Sequence, residues 1–219
     1  MILHDRESGF LKRKDIKSMD PLIYANVIMG ENVEIDKFVI IGQSSRGKKE
    51  GEIQTIIGSS ALVRSHTVIY AGNNIGDNFQ TGHHVMIRED NVIGNNVSVG
   101  TGTVIEHHVK IGNGVRIHSQ VFIPEYCVLE EGCWIGPNAV LTNAKFPNRP
   151  DTKKNLAGVV VGKNAVIGAN VTILPGIHIG ENSLIGAGTI LSKNVPANMV
   201  VYNYKNLTWH NLPIKNNIP

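Results

Sequence analysis

VIGNNVSVG, residues 92–100, is the unit from which the rest of the chain can be read. Val97 and Val99 are two apart and share one face of a short strand, with Ser98 on the other. Gly94-Asn95-Asn96 before them is a corner, because glycine and asparagine tolerate the positive φ that a tight turn demands. Neighbouring stretches repeat the motif as IGDN, IGPN, IGAN and IGEN. Outward from this unit the chain counts in sixes. An aliphatic residue recurs at Ile57, Val63, Ile69 and Ile75, then at every sixth position to Ile135 and Leu141, with Thr81 the one exception. A six-residue period held over about fifteen repeats predicts a parallel β-helix. Ordinary strands of variable length would not keep one register so long.

Three such repeats close a triangular coil of 18 residues, so residues 18 apart stack about 4.8 Å apart along the axis. The corners then sort into columns. One reads Gly76-Asp77-Asn78, Gly94-Asn95-Asn96, Gly112-Asn113-Gly114, a run of plain structural turns. Another reads Arg88-Glu89-Asp90, Glu106-His107-His108, Pro124-Glu125-Tyr126, Thr142-Asn143-Ala144. That column has exchanged its glycines for reactive side chains, and it marks the working edge.

Composition agrees with a narrow aliphatic solenoid: aromatic residues are 5% of the 219, while Val, Ile and Gly are plentiful. A net charge of +3 with scattered lysines is too weak for a nucleic-acid partner. No apolar run approaches the roughly 20 residues that span a membrane, and the N-terminus lacks the apolar core of a signal peptide. A cytoplasmic protein is the expectation. Cys127 and Cys133 each precede an inward aliphatic by two and should be buried free thiols.

The expected organisation is one domain. Residues 1–22 cover the first coil, 23–202 form the β-helix of about eight coils, and the Asn- and Pro-rich tail 203–219 caps the open end. Two excursions interrupt the count, a basic loop at 43–56 and a second at 143–160 with two prolines and four basic residues. The second leaves from the glycine-poor corner, and long loops in compact domains tend to be functional. Closed symmetric assembly covers flat solenoid faces, and a triangular prism suggests a homotrimer.

These repeats resemble the hexapeptide-repeat acyltransferases. The resemblance implies an all-β, left-handed parallel β-helix that trimerises; the handedness comes from the resemblance alone, since the general crossover rule favours the right hand. RSHTVIYAG (64–72), TGHHVMIRE (81–89), FIPEY (122–126) and IGPNAVLTNAKFP (135–147) look like the bacterial N-acetyltransferases of nucleotide-linked amino sugars, the dTDP-3-amino-3,6-dideoxyhexose type. It further implies acetyl-CoA as co-substrate in a cleft between subunits and a place in surface polysaccharide (O-antigen) biosynthesis. Two departures stand out. No nucleotide-binding βαβ segment precedes the repeats, so the β-helix itself must bind the sugar nucleotide, and the chain runs VVYNYKN (200–206) where many relatives carry Gly-Asn-Pro-Ala.

Acetyl transfer to an amine needs a neutral nucleophile, an oxyanion donor and a proton acceptor. Glu125 and Asn143, 18 apart, should be neighbours on successive coils, the carboxylate accepting the proton and the amide orienting the amine. The resemblance also places an acid and an asparagine here. His107 lies one coil earlier beside His108, and histidine is a residue type suited to general-base work, so it is a second candidate base. His108, Arg88 and His84 are expected substrate contacts, His84 from another corner column that would face a neighbouring subunit. For coenzyme A, Ala169, Gly186 and Ala187 are small enough to let pantetheine approach the backbone, and Lys193 could reach a phosphate.

Three other readings compete. O-acetylation of a hydroxyl acceptor would need a stronger base, such as a histidine. A γ-type carbonic anhydrase would hold zinc with histidines commonly five apart, a spacing absent here, so no metal is expected. A purely structural β-helix should keep uniform Gly-x-Asn corners throughout, which this chain does not.

Overall fold

The computed structural model describes residues 20–204 and 206–211. Three sheets of nine, eight and ten strands form the walls of a triangular prism, and the chain visits them in rotation. The pairing is parallel and steps by one coil: Met86↔Val104 on the first face, Val92↔Lys110 on the second, Ser98↔Arg116 on the third. This is the expected all-β, left-handed parallel β-helix. Among the described residues no helix is long and apolar enough to cross a membrane.

The six-residue count is the core. Every sixth side chain from Ile57 to Leu141 is buried, Thr81 included. Thr81 is tolerated because its hydroxyl accepts the Arg64 N–H at 2.9 Å and meets the Thr67 hydroxyl at 3.3 Å, so no polar atom is stranded. Cys127 and Cys133 are fully buried free thiols, and desolvation pushes both up to about 12.

Corners hold their shape through left-handed residues. Asn78, Asn96 and Asn138 sit at φ 56–58°, and Asn78 donates to Asn96 one coil on at 3.1 Å. The glycine-poor column keeps this geometry with other residues: Asp90, His108 and Tyr126 have φ of 59°, 60° and 66°. Asp and His adopt this region more readily than most residues, whereas a bulky side chain such as that of Tyr126 is held there at a cost of about 1–2 kcal/mol.

Both excursions leave the same edge, between the first and second faces. Residues 44–54 fold back over the preceding coil, where Asn26 Nδ2 donates to Gly51 O at 3.0 Å. Residues 144–157 are pinched at their base by the Ala157 N–H to Asn143 O bond of 2.8 Å. At the other end of the prism, Met199–Tyr204 extends the third face parallel to Leu184–Ile185, and Asn206–Asn211 returns antiparallel beside it. Of the segment 1–22, residues 1–19 lie outside the described residues, and Leu22–Ile23 is already the first strand. Within the tail, residues 212–219 lie outside them too.

The three outer surfaces differ. Strands of the second face carry Lys110 and those of the third carry Glu34 and Arg116. Among the described residues no strand of the first face carries a charge, and Leu22, Met86, Phe122, Val140 and Ile190 stand exposed along it. An apolar stripe therefore runs the length of that face.

Candidate active site

Stacked corners bring the predicted pair together. Asn143 Nδ2 donates to Glu125 Oε2 at 2.7 Å and lies 3.3 Å from the Glu125 carbonyl, one coil away. Asn143 is 8% exposed, and its backbone carbonyl is engaged by the loop closure at Ala157, which locks the side chain over Glu125. Its Oδ1 takes no protein partner among the described residues and is left as an acceptor.

His107 continues the column downwards. Its Nε2 lies 3.5 Å from Glu125 Oε1, and its Nδ1 meets His108 Nδ1 at 3.0 Å. The Tyr126 ring packs edge-on against both imidazoles, with centroids 6.3 and 5.7 Å away. Asn143, His107, His108 and Tyr126, from three successive corners, thus cluster with the Glu125 carboxylate. Pro124 is buried beneath it and stiffens the corner.

Arg88 lies in the same column but is heavily engaged. Its Nε and Nη2 make a fork with Glu89 at 2.8 and 3.0 Å, its Nη1 reaches Glu106 at 3.3 Å, and its guanidinium covers the Tyr70 ring at 5.1 Å. Burial pushes the Glu89 carboxyl up, but the Arg88 hydrogen bond, a backbone N–H and the nearby Arg88 and His107 charges outweigh it and hold it below the usual range. Glu89 and Glu106 were not singled out in the sequence, although the 18-residue spacing of Arg88 and Glu106 was there to be read. Behind this edge Asn73 and Asn91 form a buried ladder: Asn73 Oδ1 accepts the Asn91 N–H at 3.2 Å, and Asn91 Oδ1 accepts that of Val109 at 2.7 Å. This internal scaffold also went unread.

His84 stands on a different edge, between the third and first faces. It closes a stack of three rings, Phe38, His66 and His84, with centroids 4.7 and 4.6 Å apart. Ala169 and Ala187 occupy that same edge farther along, in one column as expected; the Ala187 backbone packs under Gly168. Gly186 has a packing reason as well, since a Cβ there would come within 2.7 Å of the Tyr202 ring. Lys193 is exposed on the Glu125 edge, beyond the second loop. Within one chain the His84–Ala187 edge and the Glu125 edge are separate, and the apolar first face lies between them.

Among the described residues no three His, Cys, Asp or Glu side chains converge as a metal site.

The family described as bacterial transferase hexapeptide (six repeats) matches residues 92–125 and 158–193. The first segment ends at Glu125. Among solved structures, the chain is similar to a UDP-N-acetylglucosamine acyltransferase from Bacteroides fragilis, with 20% identity, a TM-score of 0.56, and coverage of 89% of this chain and 74% of that one. It is also similar to the UDP-N-acetylglucosamine acyltransferase of Francisella novicida, with 18% identity, a TM-score of 0.51, and coverage of 86% and 70% respectively. At these identities the likeness establishes the fold.

Proposed function

We propose that this chain is an acetyl-CoA-dependent N-acetyltransferase acting on the amino group of a nucleotide-linked amino sugar, of the dTDP-3-amino-3,6-dideoxyhexose type, as a homotrimer. The family match and the folds it shares with nucleotide-sugar acyltransferases support acyl transfer. The observation that carries the reading is the 2.7 Å Asn143–Glu125 bond on an edge stripped of its structural glycines. Asn143 Oδ1 accepts one N–H of the sugar amine and aims its lone pair at the thioester carbonyl. As the C–N bond forms, the nitrogen loses a proton to Glu125, and the C–S bond breaks to release the coenzyme as thiolate. That thiolate recovers a proton from solvent or from Glu125. Where the thiolate is protonated by solvent, His107, 3.5 Å from the carboxylate, passes the proton on toward His108 and water.

The trimer reading has its own support. The uncharged first face is bordered by both candidate edges, so a second copy seated on it would bring an Ala187 edge beside a Glu125 edge. Acetyl-CoA then lies along Ala169, Gly186 and Ala187 of one chain with Lys193 near a phosphate, while His84, His108 and Arg88 contact the sugar substrate. Acetyl-CoA titration of wild type and Ala187→Trp tests this placement.

A second reading, O-acetylation of a sugar hydroxyl, is favoured by the His107–Glu125 contact, because a carboxylate-oriented imidazole is the stronger base a hydroxyl requires. Offering matched amino- and hydroxy-sugar nucleotides with acetyl-CoA, and following thiol release, separates the two.

A further inference from the structure

The loop 144–157 carries four cations, Lys145, Arg149, Lys153 and Lys154, against one carboxylate, Asp151, which Asn155 holds at 3.0 Å. Among the described residues none of the four has an ion-pair partner. The loop is braced rather than loose: Thr152 Oγ1 lies 2.7 Å from the carbonyls of both Phe146 and Arg149, and accepts the Arg149 N–H at 3.1 Å. Phe146 is half exposed, and the Arg149 guanidinium lies over its ring at 4.3 Å with Lys145 at 5.8 Å. Lys145, Phe146, Arg149 and Thr152, with Asp151 and Asn155, line a pocket of ≈ 270 Å³ that also takes in Ala144, the residue after Asn143; Lys153 and Lys154 are not in its lining. An exposed phenyl ring flanked by unpaired cations is chemistry for an aromatic base joined to phosphate.

The surrounding charge decides the direction. Below the Glu125–Asn143 pair the edge carries the carboxylates of Glu89, Asp90 and Glu106 against the guanidinium of Arg88, which already pairs with Glu89 and Glu106, so the balance there is negative. Above it, within one residue of Asn143, the loop begins and the field turns positive. The unpaired cations that begin beside Asn143 make that side the more favourable one for the diphosphate of a sugar whose amine sits at Glu125.

We infer that the loop 144–157 is the nucleoside-diphosphate subsite, with the Phe146–Arg149 platform stacking the base and Lys145 and Arg149 neutralising the phosphates. This rests on the nucleotide-linked acceptor proposed above and says which part of the chain selects it.

The test is calorimetric titration of the full-length protein with dTDP and with UDP, alongside a separate acetyl-CoA titration. Wild type should bind at least one nucleotide. Phe146→Ala should weaken that binding about tenfold or more, the scale of a lost base stack. Phe146→Trp should restore it, and acetyl-CoA affinity should be unchanged in both variants. Arg149→Ala should weaken the nucleotide less at high salt than at low salt. Nucleotide affinity unchanged by Phe146→Ala would overturn the subsite while leaving the acceptor reading intact. Failure of wild type to bind either nucleotide would overturn both, and loss of acetyl-CoA affinity in Phe146→Ala would assign the loop to the coenzyme instead.

Discussion

Asn143 donates a 2.7 Å hydrogen bond to Glu125 across 18 residues of sequence, and the 3.5 Å approach of His107 extends the contact over a third coil. The pair is a product of the helical repeat, not of local sequence. Neighbours of this kind act as a unit. In a double-mutant cycle, Asn143→Ala and Glu125→Gln should be clearly less than additive in kcat/KM. Full additivity would mean that the amide and carboxylate serve different steps.

Light scattering at micromolar concentration should return three times the 23.8 kDa of one chain. A charge placed on the apolar face tests the assembly, since an unpaired buried charge is strongly disfavoured at an interface. Phe122→Glu should drive the protein toward the single-chain mass and abolish transfer, with the β-sheet circular dichroism retained. A fully active Phe122→Glu monomer would contradict the shared-edge account.

For the coenzyme, Ala187→Trp should raise the acetyl-CoA dissociation constant by at least an order of magnitude and leave the trimer intact. The exposed position of Ala187 makes the substitution tolerable to the fold. An unchanged constant would place coenzyme A elsewhere.

The buried thiols give a pH prediction. Cys127 and Cys133 titrate near 12 in the folded chain, above the 9.0 of an exposed thiol. The unfolded chain therefore loses these protons first, and their contribution, complete below pH 9, is lost as pH rises toward 12. Replacing both by valine should flatten the alkaline fall of the melting temperature over that window. Native thiols should also resist a disulfide reagent until the protein is denatured. Rapid native labelling would contradict their burial.

The aliphatic period from Ile57 to Leu141 sets the register, because inward positions in a β-helix admit little but aliphatics and their period is rigid. The same rigidity made Glu125 over Asn143 legible, as residues 18 apart must stack. What escaped were contacts that depend on side-chain reach. Arg88 closes a fork on its own neighbour Glu89 and spans a coil to Glu106, which spacing permits but does not require. The Phe38–His66–His84 stack depends on rotamers that no period encodes. The shape of loop 144–157 was beyond reach for another reason. Its fold follows from Thr152 bonding carbonyls within its own segment, with no repeat to propagate from.

The central claim is that Glu125 takes the proton from a sugar amine. It is tested most directly by the pH–rate profile of wild type and Glu125→Gln on a nucleotide-linked 3-amino sugar with acetyl-CoA, following thiol release. The account predicts that wild type turns over and that Glu125→Gln loses roughly 10²–10⁴-fold, mainly in kcat. Near-normal kcat for Glu125→Gln across the profile would contradict it, leaving the carboxylate a positioning group and the proton to water or the departing thiolate.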